Sequence, residues 1–279
     1  MQLDLYILYF FVYSLIGYCC EVVYCSFPVK RLVNRGFLYG PYLPIYGFGA
    51  MIVLFFFQRF IEYPLVIFFA GLVSTSLLEF FTSWLLEKFF HAKLWDYSKH
   101  FLNIKGRVCL LNSTLFGIMS VVVIYVFHPL TVGFIEMIPI WMRENLSKAI
   151  LIGMCIDTTA SIYKMAAFQK QMLEIRKKGK ELEIRLELLQ KERTSQAFEL
   201  LKNKLTGEFD EMKLKFNTSS RHIIDAFPSI TSSNEETKLQ IELLKMNLRD
   251  YRTKMALQKS KLKQKAKDLA FDHKKRNVQ

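Results

Sequence analysis

The sequence predicts an all-α protein: a polytopic membrane helical bundle of about five spans, followed by a cytoplasmic helical tail with coiled-coil character. Three observations carry that expectation. The 279 residues are 52% hydrophobic and yet bear a net charge of +13, two properties that conflict within one globular domain. The charge is segregated, because the chain from Lys164 onward holds 27 of the 38 Lys and Arg and 16 of the 25 Asp and Glu, hence +11 of the +13. The first 163 residues hold the long apolar runs, close to the roughly 20 residues that crossing a bilayer takes. A transmembrane domain over 1–163 and a basic tail over 164–279 are therefore expected.

The spans follow in order. Residues 5–24 form the first, interrupted by Gly17 and carrying Glu21 near its end. Its flank, Met1-Gln2-Leu3-Asp4, lacks the basic start of a cleaved leader, so this run is expected to stay in the mature protein. Residues 44–57 are short and reach span length only by starting inside the preceding stretch. Residues 63–86 and 108–127 fit, the latter with Asn112 one turn in. Residues 146–163 are the least apolar, because of Asp157-Thr158-Thr159. Residues 128–144, with Pro129 and Pro139, leave room for an interfacial helix.

The bundle is organised around Asn34–Gly47, which packs three glycines, two prolines and three tyrosines between apolar runs. Irregular backbone at membrane depth survives only where protein or a water-filled cavity covers it. The stretch reads as a structured dip at the membrane edge, or as an interfacial turn with an aromatic belt. Loop charge orients the bundle: Lys30, Arg31, Arg35, Lys88, Lys93, Lys99, Lys105 and Arg107 lie on one side, against Arg59 and Arg143 on the other. Positive loops stay in the cytoplasm, so the N-terminus is expected outside and the tail inside. A weak parallel repeat is also visible, with Gly36 and Gly47 spaced like Gly106 and Gly117. Chance spacing is its rival.

Ionisable groups inside spans cost several kcal/mol unless paired or wetted, which makes them site candidates. Glu21, Glu79, Glu87, Asn112 and Asp157 all fall in the cytoplasmic half, and Asn34, Arg35 and Arg107 enter at the same level. Glu79, Ser83 and Glu87 share one helix face. The functional reading is a polar vestibule open to the cytoplasm, in which carboxylates bind a cation or proton, or Arg35 and Arg107 hold an anion. In the structural reading, the same acids pair with Arg35 and Arg107 to fix packing. Asp96, in Trp95-Asp96-Tyr97, either anchors the interface or meets a ligand amine. The scattered histidines and cysteines give no metal-ligand spacing, and neither a metal nor another cofactor is expected.

Several motifs together are recognisable: Asn34-Arg35-Gly36-Phe37-Leu38-Tyr39-Gly40-Pro41, Pro44-Ile45-Tyr46-Gly47, Leu85-Leu86-Glu87-Lys88, Trp95-Asp96-Tyr97-Ser98 and Asn103-Ile104-Lys105-Gly106-Arg107-Val108-Cys109-Leu110. Over about residues 5–165 the chain resembles the prokaryotic ABC-transporter type IV family, labelled as ABC transporter permeases. One departure is Leu94-Trp95, where relatives carry two tryptophans. Arg221–Pro228 resembles a short motif in the tails of relatives. The resemblance implies a multi-pass plasma-membrane protein, and its label implies transport with a separate ATPase subunit.

The tail switches to heptad spacing, from Phe168 through Leu189, again over Phe198–Phe216, and in a second helix from Ile241 to Leu269. It can fold back as a hairpin or join two copies as a homo-oligomer. Its charge suits a solvated coiled-coil surface or contact with anionic lipid, and aromatics do not interleave with the basic runs as nucleic-acid binding would need. There is no Gly-x-x-x-x-Gly-Lys phosphate loop and no hydrolase signature, so no enzyme is expected. The function expected is a permease-like component handling a small solute or ion. The alternative is a membrane anchor or scaffold whose tail recruits a cytoplasmic partner.

Overall fold

The computed structural model describes residues 2–29 and 36–191 and, beyond these, 207, 223–224, 226–227, 229–232, 238, 241–242 and 245–246. The chain divides into two compact units, Met1–Glu174 with His222–Asn234, and Ile175–Arg221 with Glu235–Gln279. The first unit carries the site.

Helix α1 (Gln2–Val29) is followed by a non-helical stretch and then α2 (Pro44–Phe57), which runs into a 3-10 turn over Gln58–Phe60. Helix α3 spans Pro64–Phe90 and stops at His91, which adopts a left-handed conformation. Both α2 and α3 open on proline, whose missing N–H would have no intrahelical partner at that position. An antiparallel hairpin of β1 (Asn103–Ile104) and β2 (Val108–Cys109) leads into α4 (Leu110–Val122). One wide π turn, Val123–Phe127, joins α4 to α5 (His128–Glu136), and α6 then covers Ile140–Lys191. Four helical stretches are long and apolar enough to cross a membrane: Leu3–Phe27, Pro64–Phe90, Leu110–Glu136 and Ile140–Glu174, with the shorter Pro44–Phe60 beside them.

Helix α3 shows what solvent the bundle is built for. Its buried face is Ile67, Gly71, Thr75, Glu79 and Ser83, spaced strictly by four. Its outward face is Leu65, Phe69, Val73, Leu77 and Phe81. A water-soluble helix turns its polar stripe outward. Small and polar residues inside with apolar ones outside suit lipid, where close backbone approach and interhelical hydrogen bonds hold helices together. The chain is a multi-pass membrane protein.

Helices α1 and α2, α2 and α3, and α3 and α4 pack in sequence. The contacts are close because glycines make them so. A Cβ on Gly17 would lie 2.2 Å from the ring of Tyr46, and one on Gly71 would lie 2.3 Å from the Ser120 hydroxyl. The corresponding glycines of the two hairpins both face a partner helix, Gly47 against Phe10 and Ser14 of α1 and Gly117 against Phe68 of α3. The aromatics before them, Tyr46 and Phe116, meet at 5.8 Å between ring centroids.

Several boundaries differ from the sequence expectation. Helix α4 starts at Leu110 because Val108 and Cys109 pair with Ile104 and Asn103 as strand. Residues 128–136 extend the axis of α4 instead of lying apart. Helix α6 does not stop at Tyr163, and the heptad seam from Phe168 to Leu189 falls on it. Most later seam positions lie outside the described residues. After the tail's first helix, Ile223, Ile224, Ala226 and Ile230 are buried, and Thr231 pairs with Lys93 through bonds of 2.8 and 2.9 Å.

Candidate functional site

Helices α1, α2, α3 and α4 and the π turn line a partly open chamber of about 60 Å³. A buried water takes roughly 10–15 Å³ of such space, so about four waters or one small organic group would fit. The space exists because Gly17, Gly49 and Ala50 place no large side chain in the wall. Tyr13, Tyr46, Phe116, Met119 and Phe127 supply its aromatic and apolar sides. The hydroxyls of the wall are all engaged elsewhere. Tyr13 bonds His128 Nδ1 at 2.8 Å, Tyr46 donates to Glu21 Oε2 at 2.6 Å, Thr75 donates to the Gly71 carbonyl at 2.7 Å, and Ser120 to the Phe116 carbonyl at 2.8 Å.

Glu79 is the exception. It is 4% exposed, lines the chamber, and its Oε2 has no hydrogen-bond partner. The Tyr97 phenol, on the segment between α3 and β1, lies within electrostatic reach of the Glu79 carboxyl. That segment is locked in place: the Trp95 indole donates to the Arg107 carbonyl at 3.0 Å, and the Tyr97 N–H to the Gly106 carbonyl at 2.8 Å. Burial, then the neighbouring Glu79 and Glu21 carboxyls, hold the Tyr97 phenol well above the ordinary range, so it remains a donor. Glu21 is within electrostatic reach of Glu79 and also receives a contact from the Cys25 thiol at 3.4 Å.

The other predicted residues are arranged differently. Asp157 accepts from the N–H groups of Tyr39 (2.9 Å) and Gly40 (2.8 Å), from the Tyr42 hydroxyl (2.7 Å) and from Ser161 (3.3 Å). It fastens residues 39–42 to α6, and Lys164 sits over the Tyr39 ring at 4.7 Å. Burial, then the bonded Asp157, raises the Tyr42 phenol above its ordinary range. Glu87 pairs with Arg107 at 2.5 Å, and the guanidinium also faces the Phe80 ring at 5.5 Å. Asp96 closes its own turn through the Ser98 N–H at 3.0 Å, in the space a Cβ on Gly106 would take. Asn112 is half-buried in the first turn of α4 and joins neither cluster. Asn34 and Arg35 lie outside the described residues. The structure thus brings Glu79 and Glu21 together, and sets Asp157, Asp96 and the Glu87–Arg107 pair apart from them.

Sequence reasoning missed Tyr13, Tyr46 and Tyr97 as site residues. The tyrosine-rich stretch and the Trp-Asp-Tyr motif were visible, but their partners lie on other helices. Among the described residues, no group of three or more His, Cys, Asp or Glu is placed to hold a metal ion.

An inside-out bundle that leaves one buried carboxyl open to an internal chamber is a polytopic membrane protein of transporter-like build. The family described as Putative ABC-transporter type IV matches residues 8–162, and the chain belongs to it. That match contains every residue of the chamber and of the Asp157 and Arg107 clusters. No curated protein and no solved structure matches the chain.

Proposed function

We propose that this protein is a permease-like membrane component that binds a small solute or ion at Glu79, in a chamber reached from the cytoplasm. The observation that carries the reading is that Oε2 of the buried Glu79, which lines the chamber, has no partner in the protein. Burying a polar group without a partner costs a few kcal/mol, and an ionised one more. A ligand that pairs with Oε2 would offset that cost. Tyr46 holds the neighbouring Glu21 carboxyl. The Asp157 and Glu87–Arg107 clusters hold the walls. In this reading the basic loops and tail are cytoplasmic, no enzymatic step is involved, and any ATP hydrolysis comes from a separate subunit. The tail serves docking or self-association.

The test is reconstitution of the purified full chain into proteoliposomes, with proton and cation flux followed by internal dyes. Glu79→Gln is expected to abolish flux while leaving yield and elution profile unchanged. Unchanged flux, or loss of the folded protein, overturns the role of Glu79. Crosslinking and mass spectrometry of the protein from its native membrane tests the ATPase subunit.

One observation favours a second reading, an anchor whose tail reports or recruits. Thr231 extends the backbone at Lys93, and Ser232 donates to the His91 carbonyl at 2.8 Å, so a tail segment is tied to the end of α3. Release of that segment by a partner would connect tail and bundle.

A further inference from the structure

The chamber's chemistry narrows what it takes. Its walls present aromatic rings from Tyr13, Tyr46, Phe116 and Phe127, and its polar hydroxyls are engaged elsewhere. The unsatisfied group is an acceptor, Glu79 Oε2, with a second carboxyl at Glu21 behind Tyr46. Among the described residues, no Lys, Arg or His lines the space. An anion would meet the Glu79 carboxyl and, among the described lining residues, no group of opposite charge. A bare, strongly hydrated metal ion would have to exchange its water shell for one free oxygen and apolar walls. A neutral apolar solute would leave Oε2 still unpaired, which is the costly outcome.

We propose that the chamber is a site for a small organic monocation, a primary alkylammonium of roughly four to six heavy atoms. This rests on the Glu79 chamber being the solute site. The ammonium head donates to Glu79 Oε2, where it replaces either a proton or nothing as the partner of that oxygen. The alkyl body lies against the aromatic faces, which attract a cation through their negative π faces and a methylene chain through burial. The volume sets the upper limit on the body, and a methyl added at Gly49, which lines the space, would reduce it. A Cβ on Gly49 would lie 3.7 Å from the Thr75 methyl and 3.8 Å from Leu78, so the wall accepts one methyl there without moving.

The experiment is calorimetric titration of the full chain in detergent with ethyl-, propyl-, butyl- and hexylammonium, and with butanol, butyrate and sodium as controls. Propyl- or butylammonium is expected to bind at least tenfold more tightly than butanol, with butyrate silent. Glu79→Gln is expected to weaken ammonium binding at least tenfold and leave butanol unchanged. Gly49→Ala is expected to shift the preference by one methylene toward the shorter chain. This arm decides the matter if Glu79→Gln fails to fold.

Equal binding of butanol and butylammonium, preference for sodium or butyrate, or a chain-length preference indifferent to Gly49→Ala overturns the ligand class. Flux in proteoliposomes separates this from the reading beneath it. Sodium or proton flux without ammonium binding leaves the permease and removes the amine. Ammonium binding without any flux supports the site and removes the permease.

Discussion

Two carboxylates on membrane-spanning helices, Asp157 on α6 and Glu79 on α3, receive opposite treatment from the same fold. Asp157 is surrounded by four donors, two of them backbone N–H groups from residues 39–42. Glu79 is deeply buried, lies within electrostatic reach of Tyr97, and lines the chamber with one oxygen that has no protein partner. Both are acids inside a membrane helix, so their type alone does not separate structural from functional roles. What separates them is whether the surrounding chain has supplied the partners. Where irregular backbone needs an acceptor, the acid is satisfied and acts as a fastener. Where the neighbours are glycine, alanine and rings, it is left for something that comes and goes.

The comparison predicts a graded series. The largest loss should come from Arg107→Ala, which strips Glu87 of its 2.5 Å partner at a site where both side chains are about seven-eighths buried. Removing one member of a buried ion pair costs roughly 3–5 kcal/mol, and the low end, about 3 kcal/mol, is expected here. A thermal unfolding curve in detergent should drop well below wild type. A stable but inactive protein would instead place Arg107 among the ligand-binding groups and break the division drawn above.

The second effect is smaller. Asp157→Asn keeps one acceptor but turns an amide toward donors that Asp157 now receives. Hydrogen bonds to a charged group are worth about 1.5–3 kcal/mol each, and neutral ones about half. A loss of about 2 kcal/mol is expected, localised to residues 36–43. Hydrogen exchange should report faster exchange at the Tyr39 and Gly40 amides, while Tyr97 and its hairpin keep their protection. Faster exchange at both places would mean that the dip and the chamber are one structural unit.

How much of this was legible in the sequence depended on the range of the interaction. The i, i+4 spacing along α3 placed Glu79 and Ser83 on one face, because helix geometry is local. The Gly- and Pro-rich stretch before α2 marked itself as irregular for the same reason. The partners were illegible. Asp157 lies more than a hundred residues from Tyr39, and the pairing is decided by where α6 meets residues 39–42, which no local pattern encodes. Tyr97 looked like a belt aromatic because its destination depends on the hairpin that folds Trp95 onto Arg107. The helix continues past the expected fifth span, 146–163, because α6 contains no proline between Ile140 and Lys191, so no backbone signal marks where lipid gives way to water.

The smallest stability effect should be at Glu79, and it is the most telling. Glutamine matches glutamate in shape, so Glu79→Gln keeps the van der Waals packing and the acceptor facing Tyr97. It removes only the capacity for charge and places an amide N–H where Oε2 was without a partner. An unpaired acceptor exchanged for an unpaired donor in an apolar wall is close to neutral, within about 1 kcal/mol. The unfolding midpoint should therefore stay near that of the wild type, or rise slightly if the charge has been a net cost at that depth. A fall of about 3 kcal/mol, comparable to that expected for Arg107→Ala, would show that Glu79 is a fastener like Asp157. A wild-type midpoint with lost flux would leave one physical account: the fold bears an unsatisfied oxygen because the ligand completes it.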